Sequence, residues 1–179
     1  MGIVLDTSGS MGHKMAQARQ VVAELLKAAG PLDEFALIRA ADRPVVVSGF
    51  AAAEDAQERM AFIQSKGRSS LLDGVYLGLQ LTKTGRHARK ILLVISDGGD
   101  NSSRYAMAEV KEAIPEAGVR LFVIGINESA AASARTAEEV SGPALLSKIA
   151  DHRGGRHVAI EAGSDIPQAA LELSAAMRR

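Results

Sequence analysis

The stretch DTSGSMG, Asp6 to Gly12, follows the apolar run Ile3 to Leu5 and sets a carboxylate and two hydroxyls at alternate positions. Gly9 makes the turn permissive, so that Asp6, Ser8 and Ser10 can converge on one point. A second acid, Asp97, closes the apolar run ILLVIS in the same manner, and GRSSLLDG, Gly67 to Gly74, adds hydroxyls in a loop that opens a helical pattern. Hard oxygen donors without histidine or cysteine select a hard divalent cation, Mg²⁺ first with Mn²⁺ or Ca²⁺ as alternatives; Mg²⁺ takes octahedral geometry at roughly 2.0 to 2.1 Å. If hydroxyls supply most direct ligands and one carboxylate acts through water, the ion keeps much of its charge. A further oxygen anion is then wanted, and an Asp or Glu of a partner protein is the fitting donor.

Donors so far apart in sequence need a scaffold that ends its strands at one place. Apolar runs of strand length recur with helical patterns between them, which predicts an α/β fold around a largely parallel sheet. The strands are read over Ile3 to Asp6, Phe35 to Ala41, Pro44 to Phe50, Lys90 to Ser96, Arg120 to Ile126 and Arg156 to Ile160. The helices are read over Lys14 to Ala29, Ala53 to Gln64, Leu71 to Leu81, Arg104 to Ala117, Pro143 to His152 and Ile166 to Met177. Ala41 to Arg43 is too short for a crossover and suits a hairpin, which makes the third strand antiparallel at an edge. Ala130 to Ala137 reads as a loop or short helix. In open sheets of this kind ligands bind beyond the carboxyl ends of the strands, where Asp6 and Asp97 fall.

Composition narrows the function further. The chain is 47% apolar and 23% charged, within the range of one globular domain over its 179 residues. Lys plus Arg and Asp plus Glu balance at 21 each, leaving no overall field to hold nucleic acid or an anionic membrane. The absence of cysteine excludes disulfides, thiolate nucleophiles and Cys-ligated metals. No apolar run approaches the roughly 20 residues that span a bilayer, and no charged leader precedes a secretory stretch. The chain begins almost within its first apolar run and ends within a helical pattern, which reads as one domain, residues 1–179, excised from a longer protein.

With these residues in view, the chain resembles a von Willebrand factor type A domain, the fold that also forms the inserted domain of integrins. DTSGS matches that family's DxSxS motif, which implies that Asp6, Ser8 and Ser10 belong to a metal-ion-dependent adhesion site. The family's second element is a threonine opening a helix in a GGTxLxxA context. Alignment on Leu71 and Asp73 puts Ser69 at that threonine, with Ser70 as a rival register and Arg68 in place of a glycine. The third element, an aspartate after the fourth strand, is matched by Asp97 in VISDGGDNSS. DTSGSM, GRSSLLDGVYLGL, ISDGGDNSSR and LLSKIADHRGGR are similar to a bacterial subgroup found in larger, often exported proteins. The resemblance implies a doubly wound, six-stranded sheet in the order 3-2-1-4-5-6 with helices on both faces. It also implies a metal-dependent protein-interaction module with no catalytic residues.

Plainer readings stand beside these. Ser10 alone could cap a helix beginning near Met11, and Ser69 could be the N-cap of its helix with Asp73 complementing the helix dipole. Asp100 to Ser103 read as a turn and helix cap, lacking the spacing of an EF-hand loop. His13 reads as a solvated surface residue and Met11 and Met15 as core. Arg153, Arg156 and His157 read as a solvated turn into the last strand. The rival function is a Mg²⁺-dependent hydrolase or phosphoryl-transfer enzyme using Asp6 and Asp97. Against it, DTSGS lacks the second aspartate of a DxDx loop, and GxxxxGK[ST], GxGxxG and GxSxG are all missing.

Overall fold

The computed structural model describes residues 1–127, 137–152, 155–161 and 165–178. Strands β1 (Gly2–Asp6), β2 (Phe35–Ala40), β3 (Val45–Ala51), β4 (Ile91–Ser96), β5 (Arg120–Ile126) and β6 (Arg156–Ile160) form one sheet. Helices α1 (Met15–Lys27), α2 (Ala53–Ala61), α3 (Leu71–Lys83), α4 (Met107–Ala117), α5 (Ala137–Ala150) and α6 (Ile166–Arg178) cover it. The sheet order is β3-β2-β1-β4-β5-β6, with β3 antiparallel to β2 and every other pairing parallel.

The central strands are apolar throughout because each of their faces meets a helical layer. Ile3 and Leu5 of β1, with Leu93 and Ile95 of β4, join a core with α1, α2 and α6. Val4, Leu92 and Val94 point the other way, into a core with α3, α4 and α5. The period of two thus divides each strand between two layers.

The layer bearing α3 lies unusually close to the sheet. A Cβ on Gly74 would stand 2.7 Å from the Cβ of Ala40, and one on Gly78 would stand 2.7 Å from Cγ2 of Val4. Side chains at these two positions would push the helix outward and carry its first turn away from β1. Parallel pairing sets the other half of the geometry. Leu5 is in register with Ile95, so Asp6 and Ser96 follow side by side at the carboxyl ends of neighbouring strands. Here the chain also switches faces, with α1 leaving β1 on one side and α3 entering β4 from the other.

Most element boundaries fall within a few residues of the sequence reading, and the exceptions have causes. Helix α4 starts at Met107 rather than Arg104, because Ala106 is extended with ψ 158° and its N–H is held by Glu109, while the N–H groups of Arg104 and Tyr105 bond to Asp73. Helix α5 starts at Ala137 and carries Pro143 inside it, whereas the proline reads from sequence as a helix start. Positions 130–136 of the unassigned alanine-rich run lie outside the described residues. No helix among the described residues is long and apolar enough to cross a membrane.

Candidate metal centre

Asp6 ends β1 with no exposed surface. Its Oδ1 accepts the N–H of Ser8 at 2.9 Å, the local turn expected of an aspartate followed by a glycine-containing loop. Its Oδ2 accepts the hydroxyls of Ser96 at 2.6 Å and Ser69 at 3.3 Å. Burial pushes the Asp6 carboxyl up to about 6; the hydrogen bonds from Ser96 and Ser8 oppose that rise, and the charge of Asp97 adds to it. The hydroxyls of Ser8 and Ser10 lie 3.1 Å apart, Ser8 buried and Ser10 exposed, so this pair runs from the floor of the site to its rim. Residues Gly9 to Met11 make one 3₁₀ turn, and no side chain caps it; the reading of Ser10 as a helix cap is therefore replaced by its contact with Ser8. Met11 and Met15 are core residues, and His13 is exposed, as read from the sequence.

The loop before α3 is laced to the loop after β1. Lys66 N–H donates to Thr7 O at 2.8 Å and Gly9 N–H to Gly67 O at 2.9 Å. Gly67 has φ +82°, where a side chain would be strained and would also collide with the Asp42 carboxylate. Asp42 in turn accepts the N–H of Arg68 at 2.8 Å. This anchoring decides between the two serine registers. Ser69 faces Asp6, whereas the Ser70 hydroxyl turns away to donate to the carbonyl of Ala41. The Arg68 guanidinium donates to the carbonyl of Asn101.

The loop after β4 holds the start of α3 in an unexpected way. Helix α3 has Ser70 at its N-cap position with no side-chain cap bond, which corrects the reading of Ser69 as that cap. The caps come from the other loop. Asp100 Oδ1 accepts the N–H of Leu71 at 3.2 Å, Ser103 Oγ accepts that of Asp73 at 3.2 Å, and Asn101 Oδ1 accepts that of Ser69 at 3.0 Å. Asp73 answers by accepting the N–H groups of Arg104 and Tyr105 at 2.8 and 2.9 Å. Tyr105 then stacks on Tyr76 of α3 with ring centroids 3.9 Å apart. The segment Asp100 to Ser103 is thus a helix cap, but for α3 in place of the helix that follows it. At the far edge, His157 is half-buried with Nδ1 3.0 Å from the Ser147 hydroxyl, so it does not belong to a solvated turn; Arg156 is exposed and Arg153 lies outside the described residues.

Asp97, 5% exposed, completes the constellation at the end of β4. Its Oδ1 accepts the N–H of Gly99 at 3.2 Å, and its Oδ2 pairs with the Lys14 ammonium at 2.8 Å. The structure therefore gathers Asp6, Ser8, Ser69 and Asp97 at the strand ends, with Ser10 at the rim. Sequence reasoning missed two neighbours. Ser96 was legible in principle, since it ends a strand whose register with β1 puts it beside Asp6. Lys14 was legible too, because it falls on the apolar stripe of Met11, Met15 and Ala18, and a lysine in such a stripe requires a partner.

The donor set suits a hard cation. Among the described residues no group of three or more His, Cys, Asp or Glu is placed to hold a metal ion by itself. The donors gathered here are hydroxyls around two carboxylates. A carboxyl so dry that its pKa rises to about 6 is one that a hard cation would neutralise.

A family model for the von Willebrand factor type A domain matches residues 1–168. None of the curated proteins matches the chain significantly. Solved structures share the fold at low identity. An aerotolerance-related membrane protein from Bacteroides fragilis superposes with a TM-score of 0.79 at 14% identity, over 99% of this chain and 97% of that one. A von Willebrand factor type A protein from Catenulispora acidiphila gives 0.77 at 21%, over 98% of this chain and 42% of its own. Proximal thread matrix protein 1 from the mussel byssus, with a zinc-occupied MIDAS motif (metal-ion-dependent adhesion site), gives 0.70 at 17%, over 97% and 44%.

Proposed function

Because this chain belongs to the von Willebrand factor type A family, we propose that it is a metal-dependent protein-interaction module whose partner presents an Asp or Glu to a divalent cation at the strand ends. Asp6, Ser8, Ser10, Ser69 and Asp97 are the residues assigned to hold the ion, with Mg²⁺ the first candidate. Bound there, the cation supplies a positive charge to which an external carboxylate coordinates. The chain's own part is to arrange oxygens in advance. Asp6 carries the buried negative charge, Ser8 and Ser69 bring hydroxyls from two loops, and Ser10 stands at the exposed edge. The single observation that carries the reading is the convergence of three separate segments on the Asp6 carboxylate, through the backbone N–H of Ser8 and the hydroxyls of Ser69 and Ser96. The zinc-occupied motif named for the mussel protein supports metal binding as a property within reach of this fold.

Specificity belongs to the loops around the ion. Arg68 and the segment from Gly98 to Arg104 border the site and are exposed in part, so they are the surfaces a partner would read. No catalytic residue is required. Calorimetry with Mg²⁺ and Mn²⁺ tests the proposal: wild-type protein gives saturable heat, and Asp6→Ala and Ser69→Ala lose most or all of it. A silent wild type under both ions would overturn the reading, and Mg²⁺-dependent phosphatase turnover abolished by Asp6→Ala would replace it with an enzyme.

A further inference from the structure

Lys14 is 3% exposed and lies between Met11 and Met15 on the buried stripe that leads into α1. Its ammonium is 2.8 Å from Oδ2 of Asp97, whose side chain is 4% exposed. A lysine is almost never buried this deeply unless a partner such as a carboxylate compensates its charge. The compensating group is one of the two acids assigned above to the metal. One carboxylate therefore serves two cations, one tethered by four methylenes and one free in solution.

We propose that Lys14 is a resident cation of this site, which holds Asp97 and the loop after β4 in place without metal and keeps the affinity for a divalent ion low. The inference rests on the metal-binding reading above. Asp6 and Asp97 carry two negative charges, and the Lys14 ammonium returns one positive charge. An incoming divalent ion meets a site of net charge −1 and must either displace the ammonium from Asp97 or bear its repulsion in a poorly screened pocket. With both cations present, the site carries net charge +1, which strengthens its attraction for an external carboxylate. The lysine thus exchanges metal affinity for anion affinity. A lysine with a purely structural role would leave metal affinity unchanged or improved by its presence.

Lys14→Gln removes the charge and keeps a donor for Asp97, while Lys14→Arg keeps the charge. Calorimetry with Mg²⁺ and Mn²⁺ on the full chain should find Lys14→Gln binding at least about tenfold more tightly than wild type, with Lys14→Arg close to wild type. Its melting temperature in EDTA should fall. Wild-type binding that is equalled or weakened in Lys14→Gln overturns the inference and leaves the metal reading standing, whereas silence in all three proteins overturns both. Should Lys14→Gln not fold, the wild type decides. The Lys14 ammonium resonance must shift on saturation with Mg²⁺, and a resonance that stays unchanged at saturation overturns the inference.

Discussion

Asp6 shows how a residue proposed to bind metal works against the fold that carries it. Its carboxyl titrates at about 6 instead of 3.8 because burial penalises the charge. The folded state therefore holds that proton more tightly than the unfolded chain does. Metal-free stability falls as pH rises from about 4 to about 6, and the full cost, on the order of 3 kcal/mol, persists above that window. Asp6→Asn removes the cost, and the Ser69 and Ser96 hydroxyls can rotate to accept from the new amide. Urea unfolding in EDTA at pH 7.5 should show Asp6→Asn more stable than wild type by up to about 3 kcal/mol, with the gap closing near pH 4. A variant less stable than wild type at pH 7.5 would contradict this account. Of the neighbours of Asp6, Ser8 was legible from spacing, and Ser69 came from a motif rather than from any local rule. Ser96 and Lys14 were passed over because each looks like part of its element: one as a strand end, the other as a helix start.

At the level of elements, α3 is held from outside. Its first N–H groups are satisfied by Asp100 and Ser103 of the loop after β4, while α4 uses its own Glu109, whose Oε2 accepts the N–H of Ala106 at 2.8 Å. Asp100→Ala should therefore destabilise the protein by about 1 kcal/mol, the usual value of a lost cap. It should also weaken Mg²⁺ binding, because Ser69 sits on the turn that the cap steadies. Urea unfolding and calorimetry measure the two effects, and a loss of stability with unchanged metal affinity would mean that Ser69 is positioned independently of this loop. This is the part of the architecture that sequence could not supply. The strands announced themselves by continuous apolar runs, and α1 by its stripe from Met15 to Leu26. Capping in trans leaves no such trace, since Asp100 to Ser103 lies roughly thirty positions from the helix it serves. The close seating of α3 on Val4 and Ala40 was likewise hidden, because Gly74 and Gly78 look like helix weaknesses until the sheet beneath them is known.

On the scale of the whole molecule, 21 basic and 21 acidic residues balance, so no net charge adds to the attraction that the proposed site would exert on an acidic partner. Occupation of the site should stabilise the entire chain, by about 2.7 kcal/mol at a metal concentration one hundred times the dissociation constant. For a chain of this size that is roughly 5 to 10 °C in melting temperature. Scanning calorimetry with saturating Mg²⁺ against EDTA should show that rise in wild type and none in Asp6→Asn; equal rises in both would place the ion elsewhere. The sheet order has one more outcome. Ser69 and Ser96 reach Asp6 across 63 and 90 residues of chain, and β1 lies between β2, which follows it at once, and β4, which comes much later. A nascent polypeptide can zip β1, β2 and β3 together long before β4 emerges, leaving Asp6 on an open flank. The proposed cation trap therefore cannot assemble until β4 has been made, and a fragment ending before Ser96 should not hold the ion as the whole domain would.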